Sequence, residues 1–102
     1  MDPPLTASAS NETAKRPARV TVRYWAAARA AAGRAEDHVN AATVAEALDR
    51  ARRTHVDNSR FASVLAVSSL LLGDQPIGSR APETVLVVDG DVIEVLPPFA
   101  GG

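Results

Sequence analysis

The stretch that most restricts what this chain can become is TVAEALDRA, from Thr43 to Ala51. The Thr43 hydroxyl can cap a helix start, and Glu46, three residues on, can reach back in a capping box. Behind that cap Val44, Ala47, Leu48 and Ala51 recur at i, i+3, i+4 and i+7, with Glu46, Asp49, Arg50, Arg52 and Arg53 pointing elsewhere. A helix with one apolar stripe must bury it on another layer. The partner layer is written in alternating stretches. RVTVRYW, from Arg19, sets Val20, Val22 and Tyr24 against Thr21, Arg23 and Trp25, and near the end Ile93 and Val95 alternate with Glu94 and Leu96.

The remaining segments fill in the order. AAARAAAG is Ala-rich and stopped by Gly33, which predicts a helix of about two turns. EDHV, Glu36 to Val39, reads as a strand that can pair with the first. In RFASVLAVSSLLLG the residues Phe61, Val64 and Leu65 suit a helix, whereas a strand is expected over roughly Ala66 to Leu72, closing on the Gly-Asp turn of LGDQPIG. Asp89-Gly90 predicts a tight turn before a last strand from Val92 to Leu96. Strand, short helix, strand, capped helix and further strands make an α+β layer architecture.

At 102 residues this is one small domain. Residues 1–18, MDPPLTASASNETAKRPA, hold almost no large apolar side chain and read as a disordered tail ahead of a domain over residues 19–102. Net charge is −1, and a general polyanion binder is not expected, because neutralising phosphates requires a concentrated basic face. No apolar run approaches a membrane span, and the first residues lack the pattern of a secretion signal. Cysteine is absent, which removes disulfides, thiol nucleophiles and thiolate metal sites. The chain reads as a soluble cytoplasmic protein.

Little of the sequence carries chemistry. It has no phosphate-binding loop, and its single lysine, Lys15, lies in the tail. His38 and His55 stand apart without metal-ligand spacing and read as surface or capping residues; no metal and no bound cofactor is expected. Asp89-Gly90-Asp91 lacks the acidic ladder of a calcium loop and reads as a turn. Ser68 and Ser69 lack a nucleophile elbow and read as ordinary strand residues.

The final residues, PPFAGG, are different. Pro97 and Pro98 fix φ near −65° and make a stiff neck after the last strand. The six residues from Pro97 to Gly102 reach about 20 Å when extended, and Gly101 and Gly102 have no Cβ, so they fit a channel too narrow for other side chains. An α-carboxyl titrates at about pH 3.5 and is ionised at neutral pH. Such a carboxylate can attack a phosphoryl centre to form an acyl-adenylate, which a sulfur or nitrogen nucleophile then opens. Without a phosphate loop of its own, the chain must be activated by another protein.

VTVRYWAAARAAAG, ATVAEAL, LAVSSLLL and DGDVIEVLPPFAGG together resemble the ubiquitin-like sulfur carriers of the MoaD/ThiS family, within them the small subunit of molybdopterin synthase. The resemblance spans residues 19–102 and implies a β-grasp fold, a mixed sheet packed on one main helix. It implies that an E1-like enzyme adenylates Gly102 with ATP and that a sulfurtransferase system converts it to a thiocarboxylate. A large synthase subunit then takes the sulfur into the molybdopterin dithiolene. The chain would be a sulfur-donating subunit, with Gly102 as carrying site and Gly101 giving clearance. Trp25, Leu71 and Leu96, with Pro97, Pro98 and Phe99, are the implied partner-binding residues. Strand parity agrees, since Trp25 and Leu96 face away if Val22, Tyr24, Ile93 and Val95 face the helix. The alternatives are a carrier for thiazole or cysteine synthesis, a ubiquitin-like protein modifier, or an interaction module with an inert tail.

Overall fold

The computed structural model describes residues 17–98. Five strands, β1 (Ala18–Tyr24), β2 (Glu36–Ala41), β3 (Ser69–Leu72), β4 (Gln75–Pro76) and β5 (Val92–Leu96), form one sheet in the order β2-β1-β5-β3-β4. β1 runs parallel to β5, and the other neighbours are antiparallel, so the sheet is mixed. Three helices, α1 (Ala26–Ala32), α2 (Val44–Thr54) and α3 (Ser59–Ala66), connect the strands, and a short 3₁₀ turn spans Pro82–Thr84. β1 begins one residue inside the stretch expected to be tail, because Ala18 is buried and pairs with Ala41. Residues 1–16 lie outside the described residues.

Alternation decides the faces. Val20, Val22, Tyr24, Ile93 and Val95 point inward and join Val44, Ala47, Leu48 and Ala51 of α2 in one core. A side chain such as Val, Leu, Ile or Phe contributes about 1.5–3 kcal/mol when fully buried. The core is thus carried by residues whose spacing already set them on these faces.

The caps explain where the helices begin and end. Thr43 Oγ1 accepts from the Glu46 N–H at 3.1 Å, and Glu46 Oε1 accepts from the Ala42 N–H at 2.6 Å. The reach-back therefore lands one residue earlier than in the standard capping box. α1 stops where Gly33 takes φ 77°, and its N–H donates to the Arg29 carbonyl.

The segment around α3 departs from the sequence expectation. The stretch expected as a strand from Ala66 is helical through Ala66, and β3 starts only at Ser69. Asn58 is the physical reason. Its Oδ1 accepts from the Phe61 N–H at 2.9 Å and its Nδ2 donates to the Ala31 carbonyl at 2.7 Å, so one side chain starts α3 and ties it to the end of α1. Phe61 and Leu65, four residues apart, then fall on the buried face. The single main helix of the expectation thus has a second, packed companion. Ser68 consequently lies before β3, with its Oγ donating to the Val64 carbonyl at 2.8 Å, and only Ser69 is a strand residue.

The two turns read from the sequence are present. Gly73-Asp74 joins β3 to β4, where Leu72 pairs with Gln75. At Asp89-Gly90 the Asp91 N–H donates to the Val88 carbonyl at 3.0 Å, and Gly90 takes φ 90°. The run before that turn is not a sheet strand. It touches the Thr43 region through one bridge, Thr43 to Leu86.

Candidate functional site

The face of the sheet opposite the helices carries the residues expected to meet partners. The register aligns one row straight across it: Glu36 with Arg23, Arg23 with Glu94, Glu94 with Leu71, and Leu71 with Pro76. Beyond this row, toward the end where β5 leaves, stand Trp25 and Leu96. The Trp25 N–H donates to the Val95 carbonyl at 3.2 Å, and Leu96 pairs with Ser69. Trp25 is 44% exposed, while Leu71 and Leu96 are half-buried. Pro97, half-buried, and Pro98, exposed, follow at once. The pairing thus sets Leu71 in the row next to Leu96, with Trp25 and Leu96 at the end of the sheet from which Pro97 and Pro98 continue, and Trp25 and Leu96 share the outer face as strand parity required. Phe99, Gly101 and Gly102 lie outside the described residues.

Side-chain bonds hold this face in place. The Trp25 indole donates to Glu94 Oε1 at 2.7 Å, and Arg23 Nη1 donates to Glu94 Oε2 at 3.3 Å. Arg23 Nε lies 3.5 Å from Glu36 Oε1, and Glu36 Oε2 lies 3.3 Å from His38 Nε2. His38 Nδ1 is 3.0 Å from the Thr21 hydroxyl. His38 is exposed on this face, as expected. Glu94 was not singled out from the sequence, although its place in the alternation of the last strand put it on the outer face.

The inner side holds a polar cluster that the sequence did not announce. Asp37 is 5% exposed and accepts from the Tyr24 hydroxyl at 2.6 Å and from Arg34 at 3.0 Å, with His55 Nε2 at 2.7 Å. The His55 ring packs on Phe61 at 4.5 Å, and Phe61 meets Tyr24 edge to face at 5.2 Å. His55 is therefore not a surface residue. Its backbone does cap α2, donating to the Ala51 and Arg52 carbonyls, while its side chain, 8% exposed, is buried against Asp37. Burial pushes the Tyr24 phenol far above its usual range, and the Asp37 hydrogen bond and charge add to that. Tyr24 is thus a fixed donor, and the cluster is built to hold α2 and α3 on the sheet.

A cleft of about 720 Å³ lies between the helices and the β3–β4 hairpin, lined by Leu48, Leu65, Leu70 and Ile77 with Arg52 and Arg80. Arg80 donates to the Ile77 and Pro76 carbonyls and so braces the chain after β4. Among the described residues no group of three or more His, Cys, Asp or Glu side chains is arranged to hold a metal ion. No helix there is long and apolar enough to cross a membrane.

No protein-family model and no curated protein sequence matches this chain. Solved structures do. The chain is similar to small archaeal modifier protein 1 from Methanosarcina acetivorans, with 23% identity over 84% of this chain and 98% of that one and a TM-score of 0.70. It is similar to a putative molybdopterin converting factor subunit 1 from Pyrococcus furiosus, with 20% identity, 80% and 99% coverage and a TM-score of 0.63. A complex of subunits 1 and 2 of the molybdopterin-converting factor from Helicobacter pylori matches with 25% identity over 82% and 99%, at a TM-score of 0.58. The mixed five-stranded sheet with its helices on one face is the β-grasp, ubiquitin-like architecture, and in this fold the chain resembles the small archaeal modifier proteins and subunit 1 of the molybdopterin converting factor.

Proposed function

We propose that this chain is a sulfur carrier that serves as the small subunit of a molybdopterin synthase. The observation that supports the reading is that Trp25, Leu96 and, one row in, Leu71 share the outer face near the end of the sheet from which Pro97 and Pro98 continue. A protein that covers this patch lies where Pro97 and Pro98 leave the sheet, four residues in sequence before the Gly102 carboxylate. Likeness to subunit 1 of the molybdopterin converting factor, found in one case in complex with subunit 2, supports the same pairing.

The chemistry needs only the terminal carboxylate from this chain. A Gly102 oxygen attacks the α-phosphorus of ATP on an E1-like enzyme, pyrophosphate leaves, and an acyl-adenylate forms. The outer sulfur of a persulfide on a sulfurtransferase attacks the acyl carbon and expels AMP, and a thiol then cleaves the resulting acyl disulfide, leaving a thiocarboxylate on Gly102 and a disulfide between that thiol and the sulfurtransferase. A large subunit then consumes that sulfur. A second reading is favoured by the likeness to small archaeal modifier protein 1, namely attachment of the same activated terminus to an amine on another protein.

One experiment separates them. The full chain is incubated with ATP, an E1-like enzyme and a sulfur source, and its mass is followed. The carrier reading expects a gain equal to the difference between one sulfur and one oxygen, localised to Gly102 by fragmentation. Covalent adducts on lysines of other proteins without sulfur gain support the modifier reading. Normal sulfur loading of a chain truncated before Gly101 defeats both.

A further inference from the structure

The outer face is half apolar and half charged, and the charges do not balance. Across the row Glu36–Arg23–Glu94 two carboxylates share one guanidinium, at 3.5 Å and 3.3 Å. The neighbouring His38 already uses Nδ1 toward Thr21 and Nε2 toward Glu36. Among the described residues the other cation that β1 sets on this face is Arg19, four residues from Arg23 and about 13 Å along the strand backbone. Arg19 makes no ion pair with Glu36 or Glu94, whose cationic partner here is Arg23. The Glu94 side chain is only 16% exposed, held between Trp25 and Arg23 and next to Leu71.

A partner that covers Trp25, Leu71 and Leu96 must therefore also remove water from a negative, partly buried group. Desolvating an uncompensated charge is costly, so a surface that fits this face needs a cation at that place. We propose that the partner protein of this face is recognised by one arginine or lysine side chain set over the Glu36–Glu94 pair, beside an apolar contact on Trp25, Leu71 and Leu96. Glu94 is then the specificity-determining residue of the surface: Oε1 fixes the indole, and the charge it shares across Oε2 selects a cationic partner over a neutral one. The inference rests on the carrier reading for the identity of the partner and adds the chemistry by which that partner is chosen.

The test is calorimetric titration of the full chain with a molybdopterin synthase large subunit at low and at high salt, using wild type, Glu94→Gln and Glu36→Gln. Glutamine at position 94 keeps a side-chain oxygen for the indole, so the Trp25 indole N–H signal in NMR spectra should stay in place while the charge is lost. Each variant is expected to bind about tenfold more weakly at low salt and to lose most of the salt dependence of the wild type. Thermal unfolding checks that both variants remain folded, and Glu36→Gln alone carries the test if Glu94→Gln does not. Wild-type affinity in the variants, or wild-type binding that ignores salt, overturns the inference and leaves the carrier reading standing. Failure of the wild type to bind the large subunit overturns both.

Discussion

The hydroxyl of Tyr24 donates to the carboxylate of Asp37 at 2.6 Å, and with His55 on the same carboxylate oxygen at 2.7 Å the pair fastens β1, β2 and the end of α2 together. All three groups are buried, and no buried side-chain nitrogen or oxygen among the described residues lacks a partner. A buried polar group is tolerated only under that condition, and removing one member leaves the others unpaired.

Asp37 should therefore make stability depend on pH. Burial opposes its charge, but the hydrogen bonds from Tyr24 and His55, and the charges of His55 and Arg34, outweigh it and hold the carboxyl below its usual range. A folded value below the unfolded one, about 3.9, means the contribution is complete above that value and is lost as pH falls through the folded value. Asp37→Ala should cost about 3 kcal/mol at neutral pH, because it leaves a buried phenol and imidazole without an acceptor. Urea unfolding at pH 7 and at pH 3 checks this, with the gap between wild type and variant expected to narrow at the lower pH.

Thr43→Ala should destabilise by about 1 kcal/mol, the usual value of an N-cap side chain. The hydroxyl satisfies the Glu46 N–H, and its loss also loosens the carboxylate that holds the Ala42 N–H. Denaturant midpoints of Thr43→Ala and Thr43→Ser distinguish the cap from the methyl group, since serine should retain most of the stability.

Ala26 opens α1 at φ 48°, a left-handed conformation that costs a residue bearing a Cβ about 1–2 kcal/mol. Glycine there relieves the strain but gains freedom in the unfolded chain, roughly 0.4–1 kcal/mol, so Ala26→Gly should be neutral to slightly stabilising. A β-branched residue should be worse, and Ala26→Val is expected to lower the melting temperature by several degrees. Equal melting of all three proteins would show that the position carries no strain.

Trp25→Asp and Leu96→Asp should leave the free domain folded and weaken its complexes, because both side chains project from the sheet away from the helices. Circular dichroism tests the first half and pull-down with the large subunit the second. Trp25 is the one tryptophan, so under excitation selective for tryptophan partner binding should shift the emission to the blue as this 44% exposed residue loses water. Deleting Gly102, or adding one residue after it, should abolish adenylation without changing the melting temperature.

Local chemistry was enough to place the capped helix, Gly33 as the stop of α1, the alternation of β1 and β5 and the two Gly-containing turns, because each depends on a few neighbouring residues. The same alternation put Trp25 and Leu96 on one face before any contact was known. What required the tertiary structure was every relation between distant segments. Phe61, Val64 and Leu65 already suited a helix, but the docking of α3 on α1 depended on Asn58 meeting the Ala31 carbonyl, 27 residues away, and a mixed apolar run cannot reveal that bond. His55 looked like a lone polar residue until the fold carried Asp37 from 18 positions upstream against it. The Glu36–Arg23–Glu94 row exists only because β1 lies parallel to β5 and antiparallel to β2, a register that sets three separated charges side by side. Periodicity along a chain tells which face a side chain takes, but which charges share that face is decided by the pairing of strands, since only the pairing brings their carboxylates and guanidinium within bonding distance.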